Sequence, residues 1–164
     1  LPEYDRLTGF VDKSINVTRK IMTELHPEVL DILGFSKAAR VLLRKFEERT
    51  GVVTKFQSNV RDINLPQADI VAVYHILNEI LDNIEKHSGA TKVLVNLSKE
   101  ESRIKLEVID NGIGFEVQDI PQTGKYGILG MYERAYSIDG ELTVISQKNA
   151  GTTVLLEIHG STEK

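Results

Sequence analysis

The chain has 164 residues, is 41 % hydrophobic and 27 % charged, carries a formal net charge of −4 and contains no cysteine. That describes a globular chain of one to two domains and excludes disulfides and thiolate metal sites. An acidic balance without a basic block argues against broad nucleic-acid binding, which needs a positive footprint. No apolar run reaches the ~18 residues of a membrane span, and no leader pattern opens the chain.

The first residue is Leu, not Met, which leads us to expect a piece of a longer chain. Pro2 to Leu25 reads as a long amphipathic helix, with Leu7, Val11, Thr18, Met22 and Leu25 along one stripe. It should end near His26, because Pro27 disfavours helical geometry in the residue before it. Ser36 reads as the N-cap of a second helix, Lys37 to Arg49, which Thr50-Gly51 stops.

From Val52 the period changes. Val52 to Gln57 reads as a strand, and a polar loop leads to Pro66. A helix from about Gln67 to His87 is closed by Ser88-Gly89. Two strands, 93–97 and 104–109, are joined by a charged turn as a hairpin. A glycine-studded loop is expected over Asp110 to Gly127, then a helix from Ile128 to Ile138. A second hairpin, 142–146 with 152–158, closes the chain around Asn149-Ala150-Gly151. Neighbouring strands are expected to be antiparallel. The fold class is α+β: a two-layer α/β sandwich, its mixed, mostly antiparallel sheet covered by helices on one face, preceded by a helical arm. The expected division is 1–50 and 51–164.

Four stretches could carry chemistry. In Asn78 to His87, the residues Glu79, Asn83 and His87 recur every fourth position, a stripe that drifts only about 40° per step. It flanks the apolar face of Val73, Ile76, Leu77, Ile80, Leu81 and Ile84, so it suits a pocket wall as well as a solvated edge. Asp110 to Phe115, DNGIGF, reads either as an Asn-Gly hairpin turn or as a loop whose glycines let the backbone approach a ligand. In the second case Asp110 could accept a hydrogen bond from an exocyclic amine. Gly124 to Met131, GKYGILGM, reads as a glycine-rich loop feeding a helix, either a plain connection or an anion site. Gly151-Thr152-Thr153 is a turn opening the last strand. The chain contains no phosphate-binding P-loop, and Gly112-Ile113-Gly114 lacks the third glycine of a dinucleotide fingerprint. Gly127-Ile128-Leu129-Gly130 has the spacing of a KH-domain loop, in a chain too acidic for RNA.

In this order, the four stretches resemble the ATP-binding fold shared by gyrase, heat-shock chaperone ATPases, mismatch-repair ATPases and histidine kinases. NEILDNIEKHSGAT resembles the asparagine box, DNGIGF and GKYGILGMYERA the glycine boxes, and AGTTV the last box. LHPEVLDILGF…FEERTG together with GILGMYERA is similar to the nitrate-sensor-like, short-lid class of two-component sensor histidine kinases. The resemblance implies ATP and Mg²⁺ as cofactors. It implies Asn83 as an oxygen ligand of magnesium, Glu79 as the general base, and Lys86, His87 and Lys125 near the phosphates. It places Asp110 on the adenine amine, Gly112 and Gly114 at the pocket edge, Gly127 and Gly130 where a helix approaches the phosphates, and Thr152 on the adenine side. In the family the second glycine box usually has glycines two apart; here Gly124 and Gly127 are three apart.

The resemblance further implies a protein histidine kinase, cytoplasmic or the cytoplasmic portion of a membrane-bound sensor. It would act as a homodimer and pass phosphate to a histidine on its dimerisation helix, then to a response regulator. Among the four histidines, Glu24-Leu25-His26 echoes the start of a phosphoacceptor box, but Pro27 follows where the family has an acid. His75 faces away from the polar stripe and His159 is near the end. The expectation is that residues 1–50 are the second half of a dimerisation hairpin and that the acceptor lies upstream. On that expectation this chain does not phosphorylate itself. An anti-sigma-type serine kinase on the same fold, or a non-catalytic nucleotide-binding scaffold, are the alternatives.

Overall fold

Alternation of period two builds the sheet. The computed structural model describes residues 28–116 and 122–159, with the backbone alone over 122–126. Strands β1 (Val53–Ser58), β2 (Lys92–Glu100), β3 (Arg103–Asp110), β4 (Gly140–Ser146) and β5 (Thr152–His159) form a sheet in the order β1-β2-β3-β5-β4. Val93, Val95 and Leu97 of β2, Ile104, Leu106 and Val108 of β3, and Val154, Leu156 and Ile158 of β5 are buried, while the residues between them are at least partly exposed. One face of the sheet is therefore apolar, and the helices lie on it.

Both expected hairpins form. β2 pairs antiparallel with β3, and β4 with β5. The expectation that strands next in sequence are antiparallel fails for β1 and β2, which pair in parallel. The cause is the connection: a helix, α3 (Gln67–Asn83), intervenes and carries the chain back to the edge at which β1 began. α3 buries Val73, Ile76, Leu77, Ile80 and Leu81, the stripe read from the sequence.

Ahead of the sheet lie α1 (Glu28–Leu33) and α2 (Phe35–Thr50). Ser36 is not the N-cap: it lies inside α2, buried, with a hydroxyl that has no partner. The N-cap position is Gly34, which offers no side chain, and the acceptor comes from the loop after β1: Asp62 Oδ1 accepts from the Ser36 amide at 3.0 Å. Its negative charge faces the positive end of the helix. Gly51 ends α2 in the left-handed region, φ 74°, as Thr50-Gly51 predicts. Glu47, near that end, accepts from the amide and hydroxyl of Thr54 at 2.9 and 2.8 Å, fixing α2 to β1. Those two donors hold its carboxyl below the ordinary value. Leu30, Phe35, Ala39 and Phe46 share one core with the sheet. The helix predicted over Pro2 to Leu25, and His26, lie outside the described residues. Among the described residues no helix is long and apolar enough to cross a membrane.

Candidate functional site

Asp110 sits where the period of β3 calls for an apolar residue. It follows Ile104, Leu106 and Val108 on the inward side and is only 5 % exposed. Burial pushes its carboxyl above the ordinary aspartate value, and the backbone amides of Gly112 and Thr152 pull it partly back. The Gly112 amide donates to Asp110 Oδ1 at 2.7 Å. A carboxylate held in an apolar wall costs free energy, and the two backbone amides offset that cost only in part, since the carboxyl stays raised.

A use for that carboxylate is suggested by a cavity of about 270 Å³ between the sheet and the helices. Its walls are mostly apolar, among them Ile80, Ile84, Met131 and Val154, and five residues with polar side chains line it: Asp110, Thr152, Asn83, His87 and Ser88. A mainly apolar cleft with a few placed polar groups is the usual form of a small-molecule site. Asp110 and Thr152 are cross-strand partners at the end of β3 and β5, which puts both at the same end of the cleft.

The opposite wall comes from the asparagine-containing helix. α3 stops at Asn83, and the chain continues through a π-helical turn, Ile84–Ser88, before Gly89 exits in the left-handed region. The predicted end at Ser88-Gly89 holds, but the last turn is wider than an α turn. Asn83 and His87 line the cavity; Glu79 and Lys86 do not. Glu79 lies instead under α4 (Gln122–Ser137), against Gly127. A Cβ on Gly127 would collide with Glu79 Oε1 and lie 3.6 Å from Asn83 Nδ2. Gly127 thus permits helix and carboxylate to touch. Gly130, one turn on, faces Arg134 of its own helix. The side chain of Lys125 lies outside the described ones.

The expectation of a glycine-rich loop running to Gly127 is corrected. α4 begins at Gln122, so Gly124 and Gly127 are helical. Glycine lowers helix propensity by about 1 kcal/mol each, but packing overrides propensity. Met131 and Ala135 bury the inner face, and Ile138 is buried just past the helix end.

Loop 111–116 is not a hairpin turn. Asn111 Oδ1 accepts from the amides of Thr91 and Lys92, both at 2.9 Å, and its Nδ2 donates to Thr91 Oγ1 at 3.0 Å. The Ile113 amide donates to the Ser88 carbonyl at 2.8 Å, and the Ile113 carbonyl accepts from the Asn149 amide at 2.6 Å. The Phe115 amide donates to Ser146 Oγ at 2.9 Å, and that hydroxyl is 2.9 Å from Thr152 Oγ1. A Cβ on Gly112 would run into the Ser88 carbonyl and lie 2.7 Å from both Asp110 Oδ1 and Ser88 Cβ. Gly114 lines the cavity; Gly112 packs behind it. Ser88, Asn111 and Ser146 were not among the residues singled out from the sequence. Asn111 and Ser146 have partners distant in the chain, as does the Ser88 carbonyl, and only the Asn-Gly step hinted at a side chain folding onto backbone.

The sequence pattern of the family described as "Histidine kinase-, DNA gyrase B-, and HSP90-like ATPase" matches residues 68–161. The chain is 30 % identical over 164 residues to the signal transduction histidine-protein kinase/phosphatase DegS of Brevibacillus brevis, covering 100 % of this chain and 42 % of that one. It is 33 % identical over 153 residues to the oxygen sensor histidine kinase NreB of Staphylococcus carnosus, covering 93 % of this chain and 44 % of that one. The chain thus spans less than half of either relative. Among solved structures, the histidine kinase domain of a blue-light activated histidine kinase from Erythrobacter litoralis superposes with a TM-score of 0.64 at 18 % identity. That likeness covers 82 % of this chain and 69 % of the other, and it speaks for the fold.

Proposed function

Because the chain belongs to the histidine kinase-, DNA gyrase B- and HSP90-like ATPases, we propose that it is the ATP-binding catalytic part of a sensor histidine kinase. In this reading residues 51–164 form the catalytic domain and residues 1–50 the remnant of a dimerisation region. The observation that carries the reading is Asp110, a buried carboxylate at the inner end of an apolar cleft. Adenine offers that cleft a flat ring to bury and an exocyclic amine for Asp110 to accept from. Thr152 supports the same end. Asn83 and His87 serve the phosphates, with Lys86 from outside the cleft and Lys125 as a further cation.

The residues suit magnesium of the kind that accompanies nucleotide. Among the described residues no cluster of three or more His, Asp or Glu could hold a metal, whereas Asn83, whose side chain carries an amide oxygen, lines the cleft. Magnesium keeps several waters and takes few protein ligands beside phosphate oxygens, so a single oxygen is a fitting donor set. The ion supplies charge neutralisation to the transferring phosphoryl group.

The reaction we assign breaks the bond between the γ-phosphorus and the β–γ bridging oxygen of ATP and forms a phosphorus–nitrogen bond to an imidazole. Glu79, beside Asn83 and Gly127, holds the proton on the far imidazole nitrogen and orients the attacking one. The acceptor is a histidine on a dimerisation helix of the parent homodimer. The phosphoryl group passes next to an aspartate of a response regulator, in the cytoplasm, where both nucleotide and regulator are available. Calorimetry of the chain with Mg·ATP tests the first step: saturable binding at one site is expected, and absence of binding would refute the reading. Incubation with labelled ATP tests the second. No stable acid-labile label on this chain is expected, and such a label would return His26 to the role of acceptor.

A further inference from the structure

We infer that Ser88 is a positioning residue that holds the phosphate wall in register with the base wall, an inference that rests on the nucleotide reading above. Ser88 lines the cavity, is 9 % exposed and closes the π turn that follows Asn83, and the hydrogen bonds of its hydroxyl run within the turn and to its exit. Its hydroxyl donates to the Ile84 carbonyl at 2.8 Å and accepts from the Ala90 amide at 3.0 Å, so it spans the turn from first residue to exit. Its backbone carbonyl accepts from the Ile113 amide at 2.8 Å, which ties the same residue to the loop behind Asp110.

The two halves of Ser88 therefore do different work. A π turn encloses one more residue per hydrogen-bonded ring than an α turn. Asn83 and His87 lie four residues apart on either side of the start of this turn, and both line the cavity, as that spacing allows in a turn of either width. The hydroxyl is the group that bonds across this turn. The carbonyl, which any residue would supply, holds the base-side loop. Removing the hydroxyl alone should loosen Asn83–His87 and leave Asp110, Gly112 and Ile113 in place. A purely structural serine, capping the end of a helix, would weaken all ligands alike.

Ser88→Ala separates the two roles when binding of adenosine is compared with binding of Mg·ADP by calorimetry. The expected result is adenosine affinity within about twofold of the parent and Mg·ADP affinity weakened about fivefold to tenfold, the range for two neutral hydrogen bonds in part replaced by water. Equal weakening of both ligands, or no change in either, overturns the inference. If Ser88→Ala does not fold, amide hydrogen exchange on the unsubstituted chain decides. Mg·ADP should protect the amides of Ile84 to Ala90 more strongly than adenosine does; equal protection by adenosine overturns the inference. Failure of the unsubstituted chain to bind either ligand would instead refute the nucleotide reading itself, and this inference with it.

Discussion

Replacing Asp110 by asparagine preserves size and removes the charge at the inner end of the cleft. Asp110 Oδ1 accepts from the Gly112 amide at 2.7 Å, and an asparagine oxygen can keep that bond. The second oxygen then becomes an NH₂ group, which turns a donor toward the adenine amine, itself a donor. The loss is one charge-assisted hydrogen bond, about 1.5–3 kcal/mol, so Mg·ADP should bind about 10- to 150-fold more weakly by calorimetry. Folding should suffer far less. Burial raises the Asp110 carboxyl above its ordinary value of 3.8, so between the ordinary and the raised value the folded chain binds more protons than the unfolded one. In that window the group's contribution to stability falls as pH rises, and at neutral pH the buried charge is a net cost that asparagine relieves. Loss of an amide contact offsets part of that relief. Thermal unfolding should therefore shift by no more than about 1 kcal/mol. Nucleotide affinity of the parent should fall as pH drops through the raised value, and the variant should lack that dependence. Unchanged Mg·ADP affinity in Asp110→Asn would refute the placement of the adenine amine.

Gly127→Ala should drive a methyl group into Glu79; phosphoryl transfer to an acceptor-bearing partner should fall more than tenfold while adenosine affinity changes little, the transfer being sensitive to small misplacement of the reacting groups. Equal loss of both would contradict the separate roles of Glu79 and Asp110. Gly112→Ala places a Cβ against the Ser88 carbonyl and Asp110 Oδ1, and should destabilise by about 1–3 kcal/mol, as overpacking does, with loss of adenosine binding; a denaturant titration and calorimetry measure the two. Asp62→Ala removes the acceptor at the start of α2 and should cost about 1 kcal/mol without altering nucleotide affinity, read from urea unfolding and calorimetry.

The strands were legible because each carries its own alternation, and α3 because its apolar stripe recurs at helical spacing. Their arrangement was legible only in part. The parallel pairing of β1 and β2 follows from the crossover through α3, which adjacency alone does not reveal. Ser36 has the chemistry of an N-cap, yet Asp62 from another loop reached the helix start first. The glycines of GKYGILGM looked like a loop because intrinsic propensity is read residue by residue, whereas packing of Met131 and Ala135 acts on the whole helix. At the candidate site, Asn83, His87, Asp110, Gly114 and Thr152 lie together at the cavity. Glu79 was read as part of the same stripe, but α4 covers it, and no local pattern announces a helix arriving from more than forty residues away. Asn111 and Ser146 bond to residues far along the chain, and Ser88 reaches Ile113 only through its carbonyl, so each is an ordinary polar residue until the chain is folded.

Titration of the isotopically labelled chain with Mg·ADP, followed through its backbone amide resonances, tests the central claim most directly. Shifts are expected in two groups, Asn83 to Ser88 and Asp110 to Phe115, together with Thr152, all saturating at one affinity. Shifts confined to other surfaces, or the absence of shifts around Asp110, would contradict the assignment of this cleft as the nucleotide site.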